Sequence, residues 1–226
     1  MINLNFNVIK SISDPFNLVV FDEFLNKEVY NKIKANFPQA NYQLMKGNNF
    51  KYQIHSHAKN DNNNVFEKVI NEKVILRDFY NYLQTKEFYG TICEFFPILH
   101  DARIKHTNLE FSYLPANGGF ILPHTDTSKK LVTIVIYFPF NWQKEWGGEF
   151  CAHSHSNKEI EDFTDLSMGK IEYSDLTDIY CPEFVDNRGV VMQRSNKSIH
   201  SVKKISGPEG VFRTSLTMNI IGKKID

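Results

Sequence analysis

The second half of the chain consists of short segments with the sequence pattern of β-strands. Residues 109–113 alternate apolar and polar side chains, which is the two-residue period of a strand with one buried face. Residues 131–138 are an almost unbroken run of β-branched and aromatic residues, which is typical of a buried strand. Further strands are predicted at 190–192 and 211–221. Short strands separated by turns predict a double-sheet jelly roll.

The first half of the chain is mixed in character. Residues 16–21 predict a short buried strand, and Asn26 can cap a helix that ends near Pro38. The Asn- and Asp-rich residues at 57–64 predict a loop. Apolar residues at helical spacing over 65–96 then predict one long helix or two consecutive helices. Helices of this kind are expected to back the sheet of the second half.

The length of the chain sets the domain organisation. With 226 residues the chain can bury a substantial core within one domain. We predict a single domain over 1–226, with a helical and mixed part at 1–103 that packs on a jelly-roll core at 104–226. A long insertion in the core is predicted at about 151–187. The predicted fold class is α+β and mainly β: a double-stranded β-helix (jelly roll) backed by N-terminal helices.

A metal site is predicted after the Gly-Gly turn at 118–119. His124 and Asp126 lie two positions apart in an extended segment, so their side chains point in the same direction. An imidazole and a carboxylate side by side are two of the three ligands of the 2-His-1-carboxylate triad, which holds non-haem Fe(II) and leaves positions open. His200 is the candidate third ligand. Taken alone, each motif also fits a polar turn or a hydrogen-bonded histidine at a strand end.

The other histidines are not predicted to bind a metal. His153 and His155 also lie two positions apart, but they belong to a polar segment and are interpreted as solvated loop residues. His55 and His57 border the Asn-rich loop and have the same interpretation.

The cysteines and the charge balance exclude some classes of protein. No two of Cys93, Cys151 and Cys181 have a metal-binding spacing, and their odd number without a signal peptide predicts reduced thiols in the cytoplasm. No apolar run is long enough for a membrane helix. The 26 acidic and 26 basic residues balance, so nothing indicates nucleic acid or a membrane as a partner. The sequence does not indicate an oligomeric state.

The order of these motifs resembles the Fe(II)/2-oxoglutarate-dependent oxygenase superfamily, and in particular its prolyl 4-hydroxylase-like branch. The resemblance covers residues 108–221. Its other features are a hydrophobic strand that ends at Tyr137, a Gly-Gly turn at 147–148, a glycine-bearing turn and strand at 187–192, and Arg213.

The resemblance implies a reaction and its cofactors. It implies Fe(II) bound by His124, Asp126 and His200, with 2-oxoglutarate as co-substrate, O2 as oxidant and ascorbate as a candidate reductant. The expected activity is hydroxylation of an unactivated C–H bond in a small molecule or an amino-acid or peptidyl substrate, with release of succinate and CO2. Asp126 argues against a halogenase, in which a small residue replaces the carboxylate so that halide can bind.

The resemblance also implies how the co-substrate is bound. Arg213 is expected to grip the far carboxylate of 2-oxoglutarate, because a guanidinium can donate two parallel charge-assisted hydrogen bonds. Ser215 shares the face of Arg213 and can add a hydroxyl. Tyr137 is a second donor by resemblance, or else a core tyrosine. Some family members have a tyrosine at the position of Ile121, and Tyr113 is the candidate replacement.

The substrate is the part of the prediction that the sequence constrains least. The predicted insertion is acidic, and we hypothesise that it folds over the iron site and favours a cationic or strongly hydrogen-bonding substrate. The alternative is an acidic surface excursion. Two other functions stay open: a cupin-like metal-binding jelly roll without oxygenase activity, acting as an isomerase or sensor, and a protein prolyl hydroxylase.

Overall fold

The computed structural model describes residues 2–39, 43–45, 51–57, 64–156 and 169–225. These residues form four α-helices: α1 (Lys27–Ala35), α2 (Val65–Glu72), α3 (Val74–Tyr82) and α4 (Lys86–Cys93). They also form twelve strands: β1 (Asn7–Ile12), β2 (Leu18–Asp22), β3 (Gln43–Met45), β4 (Lys51–His55), β5 (Ala102–Pro115), β6 (Ile121–His124), β7 (Lys130–Tyr137), β8 (Phe150–His155), β9 (Leu176–Tyr180), β10 (Gly189–Gln193), β11 (Ile199–Val202) and β12 (Phe212–Lys224).

The strands make two antiparallel sheets, which confirms the predicted jelly-roll class. The large sheet has eight strands in the order β1-β2-β10-β7-β12-β5-β4-β3. The small sheet has four strands in the order β6-β11-β8-β9. The longest ladder joins β12 to β5, and β7 and β12 are the two middle strands of the large sheet.

The helices cover one face of the large sheet, as predicted. Asn26 caps α1, because its side-chain oxygen accepts a hydrogen bond of 2.9 Å from the backbone N–H of Glu28. Apolar residues of α1, α3 and α4 share one buried cluster with residues of β5, β7 and β12, among them Ile33, Phe79, Phe88, Phe111, Ile134 and Leu216. This cluster is the main core of the protein.

The segment at 65–96 differs from its prediction, because it forms three helices rather than one or two. Lys73 separates α2 from α3 with extended backbone angles of φ −124° and ψ 104°. Thr85 caps α4 through its side chain, which accepts a hydrogen bond from the N–H of Phe88.

The predicted insertion at about 151–187 contains regular structure. Residues 151–155 belong to β8, and β9 pairs with β8 in the small sheet. Residues 157–168, which are part of the hypothesised lid, lie outside the described residues.

The prediction of reduced cysteines is also wrong for two of the three. Cys151 and Cys181 form a disulfide that joins β8 to the residue that follows β9. The two residues are 30 positions apart, and only the pairing of the two strands brings them together. Cys93 is a buried free thiol. No helix among the described residues is long and apolar enough to cross a membrane.

Candidate metal centre

Three side chains predicted as metal ligands meet in one cavity between the sheets. His124 is the last residue of β6, and His200 lies directly opposite it on β11. The centroids of the two imidazole rings are 4.2 Å apart. Asp126 follows two residues after His124, and one ligand atom from each of the three residues lies within 4.8 Å of the others. This donor set is that of the facial triad.

Hydrogen bonds fix both imidazoles in one orientation. The Nδ1 atom of His124 is 2.9 Å from the carbonyl oxygen of Leu122, and Nδ1 of His200 is 3.0 Å from that of Ser198. A carbonyl oxygen can only accept, so each Nδ1 carries the proton and each Nε2 keeps its lone pair. An imidazole held in this way is ready to bind a metal through Nε2.

Burial keeps both histidines neutral. It lowers the pKa of His124 to about 3, and the neighbouring His200 adds to this effect. Burial likewise lowers the pKa of His200. Because a metal binds the neutral imidazole, neither side chain has to lose a proton before it binds.

Asp126 is held as a carboxylate by two residues. Lys130 Nζ lies 2.5 Å from its Oδ1, and the Thr133 hydroxyl donates to Oδ2 over 2.6 Å. Burial alone would raise the pKa of Asp126, but the charge of Lys130 and its hydrogen bond to the carboxylate outweigh this effect and hold that pKa well below its ordinary value. The triad therefore combines two neutral donors with one anion.

Arg213, Ser215 and Tyr137 lie together at the other end of the site. The Arg213 side chain is almost completely buried, and its Nη1 donates to the Ser215 hydroxyl over 3.2 Å. Its Nε donates to the carbonyl oxygen of Gly148. The guanidinium carbon lies 5.1 Å from the centroid of the Tyr137 ring and 4.8 Å from that of Phe184. The sequence did not indicate a role for Phe184.

One cavity of about 200 Å³ connects the two groups, since the triad, Arg213 and Ser215 all line it. Burial raises the pKa of Tyr137, so its hydroxyl stays protonated. That hydroxyl also accepts a hydrogen bond of 3.2 Å from the N–H of Phe150.

Tyr113 does not reach the site, contrary to its prediction. It alternates with the cavity-lining Ser112 and therefore points to the opposite face of the large sheet. There its hydroxyl donates to the carbonyl oxygen of Pro38, and its ring packs on Phe37 with centroids 5.5 Å apart. Ile121 lines the cavity.

A charged pair that the sequence did not indicate lies on the wall of the same cavity. Lys51 Nζ is 2.5 Å from Glu110 Oε1, with side-chain exposures of 13% and 9%. Glu110 was predicted only as a polar position of a strand. Its pairing with Lys51 depends on the register between β4 and β5, which the sequence does not give.

Comparison with known proteins gives a family and a fold. A profile described as the 2OG-Fe(II) oxygenase superfamily matches residues 109–221. A comparison with curated protein sequences gives no match.

Several solved structures are similar to this chain. A prolyl 4-hydroxylase from Phytophthora capsici has a TM-score of 0.58 at 15% identity, over 91% of this chain and 58% of that one. The chain thus spans little more than half the length of that relative. A 2OG-Fe(II) oxygenase family oxidoreductase from Burkholderia pseudomallei has a TM-score of 0.55 at 14% identity, over 92% and 88%. A prolyl hydroxylase from Trichoplax adhaerens, in complex with a hypoxia inducible factor peptide fragment, has a TM-score of 0.53 at 11% identity, over 90% and 83%. At these identities the likeness concerns the fold.

Proposed function

The chain belongs to the 2OG-Fe(II) oxygenase superfamily, and from this premise we propose that His124, Asp126 and His200 hold Fe(II) while Arg213 binds 2-oxoglutarate. Members of this superfamily use Fe(II), 2-oxoglutarate and O2, so the protein is a 2-oxoglutarate-dependent dioxygenase. The observation that carries the residue assignment is the cavity, because two oriented neutral imidazoles, one carboxylate and one buried guanidinium all line it.

The donor set fits ferrous iron. Three ligands on one side leave positions open, and two neutral imidazoles with one carboxylate give the ferrous site a net charge of +1, which suits an anionic co-substrate. When bound, Fe(II) would supply the activation of O2 that couples decarboxylation of 2-oxoglutarate to hydroxylation of a C–H bond.

The residues around the triad have separate tasks in this proposal. Lys130 and Thr133 keep the Asp126 carboxylate in one orientation. Arg213 has five N–H donors, of which Nε and Nη1 contact Gly148 and Ser215, so N–H groups remain for the far carboxylate of 2-oxoglutarate. Tyr137 and Phe184 cover the guanidinium with aromatic rings and limit its contact with water.

The substrate is proposed as a small molecule or an amino-acid or peptidyl group that is hydroxylated at an unactivated C–H bond. A protein prolyl hydroxylase is compatible with the same site, since the fold does not determine the substrate. A cytoplasmic location stays a prediction, and the Cys151–Cys181 disulfide weighs against it, because disulfides persist mainly in oxidising compartments.

The test is formation of succinate from 2-oxoglutarate by the purified protein under aerobic conditions. We expect Fe(II)-dependent succinate, stimulated by ascorbate, and loss of that turnover in His200→Ala. Folding of the variant should persist, because the main core lies on the far side of the large sheet. A protein that binds one equivalent of Fe(II) but forms no succinate would favour the cupin-like alternative. Full turnover in His200→Ala would place the third ligand elsewhere.

A further inference from the structure

A second group of metal-binding atoms lies on the outer face of the small sheet. Phe150 stacks on His200 inside the molecule, so the next residue of β8, Cys151, points outward. One ligand atom from each of Cys151, Asp178 and Cys181 lies within 4.8 Å of the other two. We propose that these three residues bind Zn²⁺, or another divalent cation that prefers sulfur, when the disulfide is reduced.

The chemistry of the three donors matches this class of cation. Zn²⁺ binds thiolate sulfur at about 2.3 Å and carboxylate oxygen at about 2.0–2.2 Å, so its ligand atoms lie roughly 3.5–4 Å apart. The disulfide must first be reduced. A dithiol or phosphine reductant supplies two electrons, is itself oxidised, and converts the disulfide to two thiols. The two thiols then lose two protons as they bind one Zn²⁺.

A buried histidine beside the group positions one of the proposed ligands. His153 is completely buried, which overturns its interpretation as a solvated loop residue. Its Nε2 lies 2.7 Å from the Ser201 hydroxyl. Its Nδ1 lies 3.0 Å from Asp178 Oδ1, so the buried imidazole lies against one of the three proposed ligands. Carboxylates that bind metals are themselves commonly held by such a neighbour. A small rotation of Asp178 would let Nδ1–H donate to it.

Asp178 is the member of the group that solvent reaches, whereas Cys151 is buried, and Asp178 already attracts a cation. The Asp178 side chain is 44% exposed, and its Oδ2 contacts the ammonium of Lys203, which is 48% exposed. An exposed lysine can move aside at little cost, because exposed ion pairs contribute little free energy. The incoming ion would then replace the ammonium as the counter-charge of Asp178.

The site would cross-link the same two strands in either redox state. Cys151 pairs with Ser201, the neighbour of the proposed iron ligand His200, so β8 supports the strand that carries the iron site. In an oxidising compartment the disulfide joins β8 to the end of β9. In the cytoplasm a bound metal would do so, which reconciles the cysteine pair with the predicted location.

The experiment measures Zn²⁺ bound per chain, by competition with a chromophoric chelator, in a His124→Ala background that removes binding at the iron site. The reduced protein should bind a single equivalent, and the oxidised protein none. Asp178→Asn should weaken binding by at least about tenfold, since even residues behind metal ligands typically contribute 10–100-fold. Co²⁺ in place of Zn²⁺ should produce a thiolate charge-transfer band.

The controls separate this site from general thiol binding. Cys93→Ser should bind as the reduced parent does. Cys151→Ser with Cys181→Ser should bind none, and reduced protein whose thiols have been alkylated gives the same test if that variant fails to fold. Equal binding by the reduced and oxidised forms, no binding by the reduced form, or a Co²⁺ spectrum without the thiolate band would each overturn the proposal. The iron assignment is unaffected by any of these results, since succinate formation by the unmodified protein tests it.

Discussion

Arg213 is the residue whose contribution to the proposed activity is most directly measurable. Hydrogen bonds to a charged group are worth roughly 1.5–3 kcal/mol, so Arg213→Ala should raise the KM for 2-oxoglutarate by at least about tenfold. Arg213→Lys should have a smaller effect, because it keeps the charge but loses the two parallel donors. Succinate formation at varied 2-oxoglutarate measures both.

The matched control is Arg103→Ala, which removes an exposed arginine near the start of β5. Its KM should equal that of the unmodified protein. An unchanged KM in Arg213→Ala would show that another cation binds the carboxylate.

The two buried imidazoles predict a pH dependence of stability for the metal-free protein. Burial lowers the pKa of both His124 and His200 below the ordinary value of 6.5, so below that pH the unfolded chain takes up protons that the folded chain does not. Their contribution is fully present above about pH 6.5 and is lost as the pH falls toward the folded-state values. The free energy of unfolding should decrease by at most about 1.4 kcal/mol per pH unit for each histidine.

Urea unfolding of the metal-free protein at about pH 7.5 and about pH 5 measures this slope. His124→Gln should reduce the slope, whereas His100→Gln, at an exposed position, should not. A slope in His124→Gln equal to that of the parent would mean that His124 is not buried as a neutral group.

At the scale of elements, β10 requires a glycine at its start. A Cβ atom on Gly189 would lie 2.6 Å from Cγ of Phe24, whose side chain is completely buried and cannot move aside. Gly189→Ala should therefore reduce the free energy of unfolding by roughly 1–3 kcal/mol, which is the usual cost of overpacking.

Gly90→Ala is the control, because a Cβ there meets nothing within 4 Å and the residue lies in helix α4. It should leave stability unchanged or raise it by up to about 1 kcal/mol, since alanine favours a helix over glycine. Urea unfolding compares the two variants. Equal stabilities would show that β10 can shift away from Phe24.

The sequence predicted those elements whose pattern is local. Alternation at 109–113 and the apolar run at 131–138 identified β5 and β7, and Asn26 correctly marked the start of α1. The break at Lys73 was missed, because neither Pro nor Gly marks it. A helix boundary without such a signal is set by packing rather than by local propensity.

The sequence predicted those parts of the candidate site that lie within one short motif. His124 and Asp126 share a segment, so their spacing alone brings them together. The prediction placed Tyr113 on the wrong face of β5. Glu110 and Ser112 line the cavity, so Tyr113, which alternates with them, lies on the opposite face. The pairs Lys51–Glu110 and Cys151–Cys181 depend on which strands are neighbours and in which register. Register comes from long-range packing, which a single sequence does not display.

At the scale of the whole molecule, the large sheet draws on both halves of the chain. Strands β1 to β4, all before residue 103, are four of its eight strands, and β4 pairs directly with β5. Helices α1 to α4 supply much of the apolar surface that buries Phe111, Ile134 and Leu216. This arrangement supports our proposal that residues 1–226 fold as one domain rather than as a core with a dispensable extension.

The proposal of one domain predicts how a fragment and the full chain unfold. A fragment of residues 104–226 keeps every proposed iron and co-substrate ligand but loses four strands and all four described helices. Its sheet would expose the apolar face that the helices cover, so the fragment should aggregate or stay unfolded.

The full chain should unfold in a single urea transition, with circular dichroism and tryptophan fluorescence giving coincident curves. Trp142 and Trp146 report on the 104–226 part, whereas helical dichroism reports mainly on the N-terminal part. Two separated transitions, or a folded fragment that binds Fe(II), would show that the jelly-roll core is an independent unit.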